Sequence, residues 1–472
     1  MGLRTKEQYI ASLRDGRRVF FRGAAVTDVT THPVMRTAIE HASIDYVMAE
    51  DERWRHLAVV DGHSRYFHVP RTADDLLIRS QLIEAATREG ATLVVLIKEI
   101  GTDALFALTL VAERLGGPYP ERVRAFFEHC RENDLAMAVA QTDVKGDRSL
   151  GPNAQTGPDA YVHVVERRAD GIVVRGTKVH TSVSVNANEL IVLPTRAMAA
   201  EDADYAVAFA VPLDTPGLSL IASPFLATEG KNPFEHPISA GHKMVETTTM
   251  FDDVFVPWER VFLCGEWQQA GPLAVTFVEF HRFTAISYKL PLLDALVGAA
   301  VAVAEMNGTQ RAGHVRDKLS WLAAYATTVR GLAEHAAASC RVINPPGIAV
   351  PDPLLVNVAK LHFAQNFHTA LGHVQDVAGG LLVTAPAAED LAHPVYGDRL
   401  ARAFAGAGAT SGRDRLRMMN LISELTSGDF GGYQAVLALH AEGSIEAEKL
   451  TILRQFDADS ARDYARRLAG LG

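Results

Sequence analysis

The chain has 472 residues, 48% of them hydrophobic, with a formal net charge of -10 and a pI near 6.0. That length is enough to bury a large core and to divide into two or three packing units. The acidic balance, with no long Lys/Arg run to offset it, argues against nucleic acid and anionic membranes as partners.

The N-terminal stretch through Arg17 is charged throughout and lacks an apolar signal core, so a cytoplasmic location is expected. From about residue 5 to 133 the pattern is mostly helical. Apolar residues at three- and four-residue intervals predict helices over 74–89 and 103–115, and Pro118-Tyr119-Pro120 separates the latter from a helix over 121–132. From about 135 to 264 the chain turns to short β-rich runs bounded by Gly, Pro, Asn and Asp. Strands are predicted over 161–166, 171–175, 188–193, 206–211 and 248–256, with Lys178 to Ser182 as a polar turn. From about 272 onward long helices return, over 292–306, 315–341 and 353–378, and Asn344-Pro345-Pro346-Gly347 reads as an ordinary helix connection. The apolar run 295–304 lies between Asp294 and Glu305 and falls well short of the roughly 20 residues that span a bilayer, so it predicts a buried helix. The expected architecture is α+β: an N-terminal helical domain (1–134), a middle β-domain (135–270) and a C-terminal helical bundle (271–472).

The most informative stretch lies in the middle region. Thr142-Asp143-Val144-Lys145-Gly146-Asp147-Arg148-Ser149 packs hydroxyls, a glycine and fixed charges into one loop, which could meet a phosphate or a flavin edge. On spacing alone the same stretch reads equally well as a hairpin-rich surface with satisfied turns. Cys130, Cys264 and Cys340 are far apart with no CxxC spacing, which fits a reducing compartment and supplies no metal motif. No GxGxxG fingerprint for a nicotinamide cofactor follows a strand.

Several longer strings carry a resemblance: TDVKGDRS (142–149), DGIVVRGTKVH (170–180), NELIVLPTRAM (188–198), FDDVFVPWER (251–260), VQDVAGG (374–380) and AHPVYG (392–397). In order and over nearly the whole length, the chain resembles the flavoprotein family of 4-hydroxyphenylacetate 3-monooxygenases and 4-hydroxybutyryl-CoA dehydratase/vinylacetyl-CoA isomerase. The wording is closer to the dehydratase branch. The resemblance implies an acyl-CoA dehydrogenase-like fold with a middle β-barrel, FAD between that domain and the C-terminal bundle, and a homotetramer. It places Thr142, Lys145, Asp147, Arg148 and Ser149 on the first flavin loop and Thr181 and Ser182 on a second. It also implies that Val377, Ala378, Gly379 and Gly380 present backbone amides to a neighbouring subunit's FAD, although a glycine pair after a helix is by itself more often a C-cap.

The departures matter as much. The dehydratase branch holds a 4Fe–4S cluster on three cysteines and a histidine. Those positions are Val95, Glu99, His281 and Tyr288 here, so the soft thiolates are gone and a cluster-free protein is expected. His281, Lys289 and Glu246 remain at matching positions as candidate catalytic groups, while a tyrosine of that site is Ala285. For His281 the competing reading is a core or capping histidine, and for Glu246 a solvated strand-end carboxylate. The monooxygenase branch grips a phenol with an Arg-x-x-x-Tyr pair where this chain has Val95 and Glu99, and with a histidine where it has Val139. The expectation is therefore an FADH2-dependent monooxygenase, served by a separate flavin reductase, acting on a small substrate other than 4-hydroxyphenylacetate. A cluster-free acyl-CoA isomerase- or dehydrogenase-like enzyme with His281 as base is the alternative.

Overall fold

The computed structural model describes residues 2–226 and 230–471. Helix formation in the N-terminal region follows the apolar spacing. Ala73–Glu89 starts on a capping box in which the Thr72 hydroxyl accepts from the Asp75 amide and the Asp75 carboxylate accepts from the Thr72 amide. Glu99–Leu115 begins one turn earlier than its spacing predicts. The added turn carries the buried polar residues Glu99 and Thr102, which send no hydrophobic signal.

The same region also contributes the short strands Val19–Phe21 and Ala24–Val26, which leave the helices and join a sheet of the middle region. That six-stranded sheet runs Ala24–Val26, Val19–Phe21, Leu218–Ala222, Glu246–Pro257, Gly171–Ser182, His163–Arg167. A second sheet of four strands runs Val261–Cys264, Val207–Pro212, Glu189–Val192, Met137–Ala140. Pairing is antiparallel except for Val19–Phe21 with Leu218–Ala222 and Met137–Ala140 with Glu189–Val192. The expected β-barrel is not closed: the two sheets remain separate. Phe209 of one sheet meets Phe251 of the other edge to face, with ring centroids 5.8 Å apart, as inner faces do in stacked sheets.

The expected polar turn at 178–182 is instead the end of the strand Gly171–Ser182. It pairs with Glu246–Pro257 through a register shift between Thr247 and Thr249, where His180 adopts φ 57°. A bulge of this kind re-aims side chains, which is why polar residues sit in a strand here without turning the chain.

The helix predicted over 292–306 is the last part of a 40-residue helix, Trp267–Met306. Length and composition alone would let it cross a membrane, yet 61% of its most apolar window is buried within the protein. It packs against Glu99–Leu115, Gly313–Ala338 and Pro353–Ala378, so its apolar residues are shared among several neighbours. The loop around Pro345 is more than a helix connection: it is the tip of a ribbon formed by Arg341–Ile343 and Ile348–Val350.

Candidate active site

The loop 142–149 is anchored through Asp143. Asp143 is buried and accepts from the Val162 amide at 3.0 Å, the Thr195 hydroxyl at 2.6 Å and Lys178 Nζ at 2.8 Å. Lys178 Nζ also donates to the carbonyls of Gln141 and Leu193. These contacts hold the loop beside the strand Gly171–Ser182, where the Val179 amide donates to the Thr142 carbonyl at 2.8 Å. Beyond the anchor the chain takes left-handed conformations at Lys145 (φ 74°) and Gly146 (φ 50°). A Cβ on Gly146 would lie 2.3 Å from Gln155 Oε1, which accepts from the Asp147 amide, so together with the positive φ the position favours glycine.

The loop's polar side chains divide into two sets. Asp147, although exposed, closes a local turn, its carboxylate accepting from the Ser149 amide and hydroxyl at 2.9 and 2.7 Å. Lys145 and Arg148 make no hydrogen bond or ion pair among the described residues, and Lys145 is half-buried. Burial, then the neighbouring Arg148 charge, lowers the Lys145 pKa. Two unpaired cations on a rigid loop are suited to a phosphate or another anionic group.

Thr181 and Ser182 lie further along the strand that borders that loop, paired with Thr247 and Glu246. Thr181 is fully buried and its hydroxyl has no partner among the described residues, which is costly unless a ligand fills the place. Ser182 donates to Glu246 Oε2 at 2.8 Å, and Tyr433 donates to Glu246 Oε1 at 2.9 Å. Glu246 is thus no solvated strand end: it ties the bulged strand to the C-terminal helix Asp429–His440. Burial raises its pKa against those two hydrogen bonds.

His281 lies on the long helix, stacked on Phe277 with ring centroids 5.2 Å apart. Its Nδ1 is 3.1 Å from Asp103 Oδ2. The other oxygen of Asp103 accepts from Arg79 at 2.8 Å and from the Thr284 hydroxyl at 3.0 Å. Sequence reasoning missed Asp103 and Arg79. The available signal was an isolated acid amid the apolar residues of a buried helix.

Lys289 is two turns further along. Its Nζ contacts Glu442 Oε2 at 2.9 Å, and Tyr288 donates to Glu442 Oε1. Lys360 joins the same cluster through Glu448, at 3.0 Å. Burial pushes the Lys289 pKa well down, with the Lys360 charge adding to it, and pushes the Glu442 pKa well up, with Glu448 adding to it. Lys289 is therefore committed to an internal carboxylate. Glu442 itself has φ 55°, in the connection between Asp429–His440 and Ile445–Gln455, a segment that sequence reasoning passed over.

The four-residue end 377–380 stands apart from these groups. Gly379 has φ 82° and its amide bonds back to the Gln375 carbonyl, as a helix C-terminus requires. Open space surrounds the place where a Cβ would stand on Gly379 or Gly380, so the two glycines face the surface of the single chain, while Val377 and Ala378 are buried. The structure thus joins Thr142 to the strand that carries Thr181 and Ser182, and links Ser182 to Glu246. His281, Lys289 and Glu246 are held in three separate networks.

The positions of the dehydratase cluster do not fit iron. Val95 is apolar and buried, Glu99 is a buried acid whose pKa burial raises, and Tyr288 is bonded to Glu442. Among the described residues no group of three or more His, Cys, Asp or Glu side chains could hold a metal ion.

The family model for the 4-hydroxyphenylacetate 3-hydroxylase N-terminal region matches residues 5–263, and that for the C-terminal region matches 270–470. The chain belongs to this family. It is 31% identical to 4-hydroxybutyryl-CoA dehydratase/vinylacetyl-CoA-Delta-isomerase of Clostridium aminobutyricum, over 99% of this chain and 100% of that one. It is 28% identical to the oxygenase component of 4-hydroxyphenylacetate 3-monooxygenase of Thermus thermophilus, over 91% and 90%. Among solved structures, an oxygen-tolerant archaeal 4-hydroxybutyryl-CoA dehydratase from N. maritimus superposes with a TM-score of 0.92 at 28% identity, covering 100% of this chain and 95% of that one. The FAD complex of a 4-hydroxyphenylacetate 3-monooxygenase oxygenase component superposes with 0.91 at 26%, covering 98% of each.

Proposed function

We propose that this family member is a flavoenzyme that binds FAD and serves as the oxygenase component of a two-component monooxygenase, with a separate reductase supplying FADH2. The observation that carries the reading is the pairing of unpaired polar groups on and beside the loop 142–149 with the absence of a thiolate at every cluster position. The orphaned Thr181 hydroxyl and the unpaired Lys145 and Arg148 fit a flavin with its anionic chain. Val95, Glu99 and Tyr288 cannot replace soft ligands. When bound, the flavin supplies the redox chemistry with O2. The protein's own residues hold it, exclude water around Phe277 and Phe280, and offer His281 to move a proton at the substrate. The substrate is a small organic molecule other than 4-hydroxyphenylacetate, because Val95 and Val139 carry no polar side-chain atom and Glu99 puts a carboxylate where the phenol-binding branch has a tyrosine.

The near full-length likeness to the Clostridium dehydratase favours a second reading, a cluster-free acyl-CoA isomerase- or dehydrogenase-like enzyme with His281 as base. Anaerobic titration with FADH2 followed by an O2 pulse separates the two. The oxygenase reading expects tight FADH2 binding and an oxygen adduct visible in the flavin spectrum. Flavin bleaching on addition of acyl-CoA, with no oxygen adduct, would favour the second. Iron and acid-labile sulfide analysis of anaerobically purified protein should find neither, and stoichiometric iron–sulfur would overturn both cluster-free readings.

A further inference from the structure

We propose that Asp103 is a positioning residue that locks His281 in one tautomer, with its proton on Nδ1 and the Nε2 lone pair presented to the substrate side of the site. This rests on the reading of His281 as the proton-moving group. Asp103 is fully buried, and its carboxylate is shared between His281 on one side and Arg79 with Thr284 on the other. Arg79 and the Thr284 hydroxyl both donate to Oδ1, which leaves Oδ2 as the acceptor facing the imidazole. A ring nitrogen 3.1 Å from that acceptor must carry the hydrogen, so Nε2 carries none in the neutral ring. Nε2 has no hydrogen-bond partner among the described residues. The His281 side chain keeps 11% of its surface exposed, so the ring is not sealed off by its neighbours. Phe277, stacked on the ring, holds its plane.

The Arg79 contacts fix Asp103 in turn. Its guanidinium also donates to the Tyr66 and Glu99 carbonyls and to the Thr102 hydroxyl, so it cannot swing away. When Nε2 takes a proton from a substrate hydroxyl or acidic carbon, the substrate becomes its conjugate anion and the ring an imidazolium. The Nδ1–H bond to Asp103 stays in place and compensates the new charge. The same pairing could orient an imidazole on a metal, but among the described residues no second and third ligand stands beside it.

The decisive variant is Asp103→Asn. The single oxygen of the amide is claimed by Arg79 and Thr284, which are both donors, so its NH2 turns to His281 and donates to Nδ1. The hydrogen then moves to Nε2 and the lone pair is lost to the substrate side. The test needs neither substrate nor flavin. Nitrogen-15 spectra of histidine-labelled protein, with His281 assigned by its absence in His281→Gln, should show Nδ1 protonated in the native chain and Nε2 protonated in Asp103→Asn. Diethyl pyrocarbonate should carbethoxylate His281 in the native chain and in Asp103→Glu, and that reaction should be lost in Asp103→Asn while exposed histidines react as before. A native ring protonated on Nε2, or a native His281 inert to the reagent, would overturn the proposal without any variant. An unchanged tautomer in folded Asp103→Asn would do the same. Failure of FADH2 binding would overturn the oxygenase reading and leave the tautomer result untouched.

Discussion

Arg148 is exposed and, like Lys145, unpaired among the described residues, on a loop whose two carboxylates, Asp143 and Asp147, are both paired, and that contrast separates residues that build the loop from residues that wait for a ligand. Arg148→Ala should therefore leave folding unchanged and weaken flavin binding by about 10- to 100-fold, the scale of one charge-assisted contact, measured by fluorescence titration. Asp143→Ala should act differently: it strips a buried acceptor from Lys178, the Thr195 hydroxyl and the Val162 amide, so the thermal midpoint falls before any flavin affinity can be read. His281→Ala should keep flavin affinity and slow single turnover by about 100-fold or more, as expected when an acid–base group is lost. Turnover of that variant at the native rate would make His281 structural. The loop 142–149 stood out in the sequence because its polar and charged residues come as one contiguous string. Asp103 was not, because its meaning depends on Arg79 and His281, which the fold brings from 24 residues before it and 178 after it.

At the scale of elements, the helices Ala73–Glu89 and Pro353–Ala378 were readable to within a residue, because apolar periodicity and an N-terminal cap agree in each. The strand Gly171–Ser182 was readable only in its first half: the bulge at His180 breaks the alternation on which the reading depends. Least legible was the connection carrying Glu442, since nothing local announces that its carboxylate is driven between Tyr288, Lys289 and Lys360. This buried cluster couples the last helices to the core bundle. Glu442→Ala takes the carboxylate partner from buried Lys289 and leaves Lys360 with Glu448 alone, and should cost about 3–5 kcal/mol in denaturant unfolding. Adding Lys289→Met to that variant should recover part of the loss, because the uncompensated charge goes with it. A double variant no more stable than Glu442→Ala would mean that Lys360 alone sets the penalty.

Across the whole molecule, the N-terminal helices are fastened to the loop preceding Glu246 by two histidines. His41 Nδ1 lies 3.1 Å from His242 Nδ1, and His41 Nε2 donates to the Val94 carbonyl at 3.0 Å. With Nε2 donating, neutral His41 uses Nδ1 as acceptor and His242 supplies the hydrogen. They line a cleft of about 250 Å³ with Glu40, Asp51 and Arg53, yet His41 itself is only 3% exposed. Burial lowers its pKa from 6.5 to about 4, with the His242 charge adding to the effect against the Val94 hydrogen bond, and burial lowers that of His242 too. A depressed folded-state pKa means that the unfolded chain binds the proton first. The stabilising contribution is therefore complete above about pH 6.5 and is lost as pH falls towards 4, by about 3 kcal/mol for His41 at the lower end. His41→Gln can keep a donor on the Val94 carbonyl and cannot titrate, so its unfolding free energy should fall less steeply than that of the native chain between those pH values. Urea unfolding at half-unit pH steps reads the difference directly. Parallel curves for the two proteins would assign the acid sensitivity to other groups, His242 first among them.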